Sequence, residues 1–274
     1  MQEKVIDIKK LVKKSDSAVL KKMPDFILNL LAVFVRQNEI NHLLQKYSGC
    51  QVGDFLSGLQ KELNISIDIR GKENLPENGK CFFVANHPFG FADGLALTWI
   101  LTRKYGNIKA IGNDVFMLIP QLRPIIAAVN VFGTNYRDYL VELEKVYCSD
   151  IPISHFPAGV VSRIQNWKIT DDHWHKSFIT KAVKHKRDIV PVYFPGRNSY
   201  LFYCLYLFRK LFRIKTNLEL IMLPNEFFRK RNKSIVVIIG KPISYQVFDK
   251  TKKDSEWARW VKSEVYNLKP AGIN

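Results

Sequence analysis

Acidic residues are scarce in this chain. In 274 residues, 25 Asp and Glu stand against 42 Lys and Arg, for a formal charge of +17. That imbalance predicts an anionic partner: a phospholipid surface, nucleic acid or an acidic carrier protein. Long apolar runs are also missing. The longest, Phe26 to Val35 and Leu201 to Phe208, reach about ten residues, whereas a spanning helix needs about 20. The chain is therefore expected to lie on a membrane or stay off it, not to cross it. Cysteine is sparse, with four scattered at positions 50, 81, 148 and 204 and no Cys-x-x-Cys pair. This argues against a disulfide framework or a zinc cluster and fits a reducing compartment. The start, Met1-Gln2-Glu3-Lys4, leads into no apolar run with a small-residue cleavage site, so no signal peptide is expected. Repeats and low-complexity linkers are absent.

What is present is a sizeable apolar fraction, 47% of residues, enough for a substantial core. Two segments are expected. Residues 1–62 read as amphipathic helices, with Lys9, Lys10, Lys13, Lys14, Lys21 and Lys22 punctuating apolar positions and Asp25 placed to cap a helix over Phe26–Val35. Such helices either pack on the main domain or dip into lipid. Residues 63–274 change period. Ile65 to Ile69 alternates as a strand does, and short apolar runs follow at Cys81–Ala85, Ile108–Ile111, Val129–Phe132, Ile151–Phe156, Ile189–Phe194 and Ile235–Ile239. Helical patterns separate several of them, at Asp93–Tyr105, Tyr136–Cys148 and Lys176–His185, and Ser255–Leu268 closes the chain. Strands alternating with helices predict an α/β fold: a mostly parallel central sheet flanked by helices, with an N-terminal helical segment.

Three strand ends carry polar turns. The first is Asn86-His87-Pro88-Phe89-Gly90-Phe91-Ala92-Asp93-Gly94, where His and Asp stand six positions apart between an apolar strand and a helix. A neutral imidazole there takes a proton from an alcohol when a carboxylate holds its other nitrogen. The competing local reading makes Asp93 a helix cap and His87 a satisfied buried ring. The second is His155-Phe156-Pro157-Ala158-Gly159-Val160-Val161-Ser162-Arg163, a turn whose amides and arginine suit a phosphate or carboxylate. The third is Val190 to Ser199, ending in Arg197-Asn198. Between the last two, His173 and His175 lack a well-placed third ligand for a metal; Asp171 or Asp172 is expected to cap the next helix while Trp174 and Phe178 pack.

Together these blocks resemble the lysophospholipid acyltransferase superfamily, which includes 1-acylglycerol-3-phosphate acyltransferases. The nearer likeness is to a branch, often labelled hemolysin-like, that includes O-acyltransferases making ornithine- and glycine-type aminolipids. It runs from about Ile65 to Ile243 in the family's motif order. Asn86 to Asp93 resembles the His-Asp motif, Phe156 to Arg163 the Phe-Pro-Glu-Gly block, and Val190 to Phe194 the final Val-Pro-Val strand. Two departures stand out. Five residues, not four, separate His87 from Asp93, a spacing that branch tolerates. Ala158 replaces the usual glutamate, which tilts the acceptor toward an aminolipid.

The resemblance implies that His87 is the general base and Asp93 its orienting partner, with Asn86, Gly90, Arg137, Gly159, Arg163 and Arg197 in the substrate-binding set. A fatty acyl group would pass from acyl-ACP or acyl-CoA, as co-substrate, to a lyso-lipid hydroxyl, with no metal and no cofactor. The acceptor implied is a lyso-aminolipid. The alternatives are 1-acylglycerol-3-phosphate and, further off, a non-catalytic membrane-binding protein of the same fold.

Leu201 to Lys241 holds nine Lys or Arg and two Glu, interleaved with aromatics. A helix over Leu201–Arg213 either lies in the headgroup layer or is a core helix with a basic tip. Nucleic acid is set aside as a partner, because no helix-turn-helix, zinc finger or Gly-rich RNA motif is present. A peripheral place on the cytoplasmic side of the inner membrane, against anionic lipid, is the expectation.

Overall fold

The structure, a computed structural model, describes residues 4–14, 21–129, 136–214 and 217–270, without the side chains of 14, 129 and 136–139. In chain order the elements are α1 (Ile8–Lys14), α2 (Asp25–Phe34), α3 (Gln37–Lys46), α4 (Val52–Leu63), β1 (Ser66–Arg70), β2 (Cys81–Ala85), α5 (Phe91–Tyr105), β3 (Lys109–Asn113) and β4 (Ile126–Val129). They continue with α6 (Tyr136–Cys148), β5 (Ile153–His155), β6 (Arg163–Gln165), β7 (Lys168–Thr170), α7 (Ser177–His185), β8 (Asp188–Tyr193), α8 (Tyr200–Leu211), α9 (Leu223–Phe228), β9 (Ser234–Ile239) and α10 (Asp254–Asn267).

A seven-stranded sheet, ordered β1-β9-β8-β2-β5-β3-β4, runs through the described residues. All its pairings are parallel except β8 with β9. The expected α/β fold with a mostly parallel sheet is what the chain forms. The central strand β2 is buried along its whole length, as both-faced burial of a parallel strand requires of a continuous apolar run. Its side chains alternate between two cores. Phe83 and Ala85 face a cluster with Val190 and Val192, closed by Leu43 and Leu44 of α3, Phe55, Leu56, Leu59 and Leu63 of α4, and Leu97 and Leu101 of α5. Phe82 and Val84 face a second cluster with Ile153, Trp174, Phe178 and Val261. The N-terminal helices α3 and α4 thus share the core of the sheet. By contrast α2 leaves Phe26, Leu30 and Val33, one helical stripe, in solvent.

The order β8-β2-β5 places three parallel strands side by side, so the loops leaving their carboxyl ends converge. This crevice is where open α/β sheets hold ligands. Buried Arg187 fixes one flank. It donates to the carbonyls of Val146, Tyr147, Ser149 and Ile151 at the end of α6 and just beyond, where a cation answers the negative end of the helix dipole.

Three expectations are corrected. Asp25 does not cap α2 but is its first residue, after Pro24 and without a side-chain cap bond. Neither Asp171 nor Asp172 caps α7, which begins after Lys176 without a side-chain cap. The turn expected over His155–Arg163 ends one residue early, because Arg163 already opens a hairpin, β6–β7. The strand expected over Val129–Phe132 ends at Val129 in the described residues, and 130–135 lie outside them.

Candidate active site

The loop from β2 to α5 is tied down at each end of its first residues. Asn86 donates to the Phe194 carbonyl and accepts from the Phe194 amide, at 2.9 and 2.7 Å, so its side chain acts as one more rung between β2 and β8. Next, the His87 amide donates to Asp171 Oδ1 at 3.1 Å, and the His87 carbonyl accepts from the Ser162 amide at 2.8 Å. Both peptide groups of this histidine are therefore held from the far side of the crevice. Its ring packs against Phe156, centroids 4.1 Å apart and planes tilted by 30°.

His87 Nδ1 lies 3.1 Å from Asp93 Oδ2. The distance is that of a hydrogen bond, while the donor angle is off-line, a common state of catalytic pairs before substrate tightens them. The same Oδ2 accepts the Phe89 and Gly90 amides at 2.8 and 3.0 Å. Gly90 precedes α5, and Asp93 is the third residue of that helix, so the carboxylate closes the first turn as well as facing the ring. Burial of Asp93 pushes its pKa above the ordinary value, against the opposing pull of His87 and the loop amides. His87 keeps 17% of its side chain exposed, and Nε2 has no protein partner among the described residues. That nitrogen is free to take a proton from a molecule in the crevice. At Gly90, φ is +77° and a Cβ would sit 3.0–3.2 Å from Leu223 and Val161, so only glycine turns the loop here.

A family model described as Acyltransferase matches residues 9–272. The chain belongs to this acyltransferase family. It is 42% identical over 266 residues to the lyso-glycine lipid O-acyltransferase of Phocaeicola vulgatus, covering 96% of this chain and 95% of that protein. It is 39% identical over 265 residues to the protein of the same name from Bacteroides thetaiotaomicron, covering 96% and 97%. Among solved structures, the 1-acyl-sn-glycerophosphate (LPA) acyltransferase PlsC from Thermotoga maritima is similar at 15% identity, with a TM-score of 0.45, covering 88% of this chain and 95% of that one.

Around the His-Asp pair of this acyltransferase the other expected residues take distinct places. Gly159 is exposed in the second loop with φ +66°, and its amide donates to the Phe156 carbonyl. Ala158 is buried in the second core cluster. Arg163 is buried. Its Nε and Nη2 meet Glu219 at 3.2 and 3.0 Å, Nη1 donates to the Val161 and Ser162 carbonyls, and the guanidinium lies over Phe202 and Tyr206. Arg209 reaches the other oxygen of Glu219 at 2.9 Å. Arg163 thus spends its donors within the protein and forms the wall of the site. Arg197 is exposed, stacked on Tyr200 at 4.2 Å. Its neighbour Gly196, φ +124°, lies so close to the Phe89 ring that a Cβ would fall 2.5 Å from it. Arg137 is in α6, but its side chain lies outside the described residues.

Two residues that sequence reasoning passed over belong to the site. Asp171, fully buried, accepts from His87, Ser162 and the Trp174 indole. Its sequence signal, an acidic residue ahead of a helix, pointed to a cap. Lys230 places Nζ 3.3 Å from the Phe89 ring centroid. Burial pushes its pKa down to about 8, against the attraction of Asp93 and Glu226. It sat inside a basic cluster that read only as a lipid-facing patch.

Proposed function

We propose that this acyltransferase moves a fatty acyl group from an acyl thioester, acyl-ACP or acyl-CoA, to the hydroxyl of a lyso-aminolipid of the glycine type. The observation that carries the reading is His87, fixed through Nδ1 by Asp93 and open at Nε2, in a chain so similar to two lyso-glycine lipid O-acyltransferases. His87 Nε2 takes the acceptor's hydroxyl proton, the oxygen attacks the thioester carbonyl, and the C–S bond breaks. The proton then passes to the departing thiolate. A thioester is already activated, so positioning and a base supply the main need.

A glycine headgroup ends in a carboxylate. Lys230 lies over the Phe89 ring, two residues from His87, and Arg197 follows Gly196, whose backbone packs against the same ring; neither cation is paired to a carboxylate among the described residues. In this reading the head-group contact expected of Arg163 passes to them. Asn86 and Gly90 serve the acceptor indirectly, by shaping the loop that carries His87.

The acyltransferase works at an anionic membrane surface, peripherally, on the cytoplasmic side. Among the described residues no helix is long and apolar enough to cross a bilayer. On α8, Phe202 and Tyr203 are buried while Leu201, Phe208 and Leu211 are exposed, as is Phe212 just beyond the helix, with the exposed bases Lys210 and Arg213 beside the last three. Each basic residue near anionic lipid contributes about 1 kcal/mol.

The test is turnover by purified wild type and His87→Ala with acyl-ACP or acyl-CoA, offering lyso-glycine lipid and lysophosphatidate separately. Wild type should form diacylated glycine lipid, and His87→Ala should lose about 10²–10⁴-fold in rate. Near-normal turnover by the variant would remove His87 as base. Preference for lysophosphatidate would sink the aminolipid acceptor.

A further inference from the structure

The hairpin β6–β7 turns through Asn166 and Trp167, both at positive φ, +46° and +62°. A two-residue hairpin turn of type I′ demands this conformation at both positions. Asn adopts it readily; a bulky residue such as Trp is an outlier there and costs strain that glycine would not. The Trp167 side chain gains nothing in return from the fold, being 98% exposed. Trp167 thus adds backbone strain and a bare indole to the fold and buries no surface within the chain.

The base of the same hairpin grips the catalytic residue. Ser162 immediately precedes β6 and Asp171 immediately follows β7. These two hold the His87 carbonyl and amide and are joined to each other, Ser162 Oγ to Asp171 Oδ1, at 2.5 Å. With about 3.3 Å per strand residue, the indole stands roughly 10–15 Å from the residues that fix His87. Ile164 and Ile169 pack the hairpin against Phe202 and Tyr203 of α8. The tip is therefore anchored on the helix whose far end bears the exposed Phe208, Leu211 and Lys210 and runs on to the exposed Phe212 and Arg213. Lys168, next to the indole, is exposed too. An exposed indole with a lysine next to it in sequence, on a hairpin backed by an apolar helix, matches the headgroup layer of an anionic bilayer, where amphipathic Trp rings settle. The net charge of +17 has the complementary sign.

We propose that Trp167 is an interfacial anchor. Its indole enters the headgroup layer of an anionic membrane, and the hairpin's rigid base thereby sets His87 at the height where a lipid hydroxyl lies. This rests on the lyso-lipid reading of the site only for its catalytic consequence.

The experiment compares wild type with Trp167→Gly on phosphatidylglycerol-containing and pure phosphatidylcholine vesicles. Trp167 is the exposed indole, since Trp174 and Trp257 are buried and Trp99 and Trp260 are partly buried. Wild-type emission should shift to the blue and gain protection from an aqueous quencher on anionic vesicles. Trp167→Gly should lose that change and bind about tenfold more weakly, the order expected on removing one buried aromatic side chain. Its melting temperature should be equal or higher, because glycine relieves the turn. With vesicle-embedded lyso-glycine lipid its KM should rise, while kcat in detergent micelles should stay unchanged. Trp167 still open to quencher on bound protein, or unchanged vesicle affinity of the variant, would overturn the anchor. Protection of Trp167 by acyl carrier protein in place of vesicles would overturn it as well. The binding arms need no turnover: wild type that docks through Trp167 yet acylates no lyso-lipid would leave the anchor standing and remove the acceptor.

Discussion

One carboxylate oxygen of Asp93 takes three neighbours, two loop amides and the His87 ring. The capping role, taken from the third position of the helix after Gly90 and not from the N-cap itself, and the contact with the His87 ring, rivals on paper, fall to the same atom. The pair was legible in sequence because it is local, six positions on one loop. Asp171 was not, because its partner His87 is 84 residues away. Replacing Asp171 by Ala strands the His87 amide, the Ser162 hydroxyl and the Trp174 indole in a buried place, at about 1–3 kcal/mol for each unsatisfied group. Urea unfolding should show a loss of several kcal/mol, and kcat should fall together with stability. A variant of unchanged stability would mean these donors find other partners.

Among elements, the wall between β6 and α8 depends on Glu219, buried between two guanidinium groups. Glu219→Ala leaves two like charges facing each other without their anion. Breaking such a buried pair costs about 3–5 kcal/mol, so its midpoint in urea should fall further than that of Arg209→Ala. The reverse order would show that Arg209 is the more important partner. The exposed end of α8 behaves oppositely. Phe208→Asp with Phe212→Asp should leave the melting temperature nearly unchanged, because both rings are in solvent. The double variant should stay in the supernatant when anionic vesicles are sedimented; sedimentation like wild type would put the docking face elsewhere. An apolar run with bases toward one end pointed to a helix over Leu201–Arg213. Which side it buries was decided by Ile164, Ile169 and Met222, which cover Phe202 and Tyr203.

For the whole molecule, acid is the exposed weakness. His155 ends β5 with Nδ1 buried and unpartnered, and burial, with His175 nearby, pushes its pKa down from 6.5 to about 4. Between these two values the unfolded chain binds a proton that the folded chain refuses. Stability is thus fully present above about 6.5 and is lost as pH falls toward 4, by at most about 1.4 kcal/mol per pH unit for this one group. Urea midpoints at pH 7 and pH 5 should separate for wild type and draw together for His155→Phe, whose ring would pack near Phe178. An unchanged separation would shift the acid sensitivity to another group.

The chain's own sequence determined the alternation of strands and helices, the three polar turns and the His-Asp loop, because each is written in residues within a few positions of one another. It also determined the large positive charge. Tertiary structure decided the rest. The order β8-β2-β5 brings three distant turns to one crevice. Within it, packing turns Arg163 inward onto Glu219 and sets Lys230 on Phe89. It also makes Asp171 the clamp of His87. These outcomes depend on contacts between residues tens of positions apart, and no local period or propensity encodes which buried charge finds which partner.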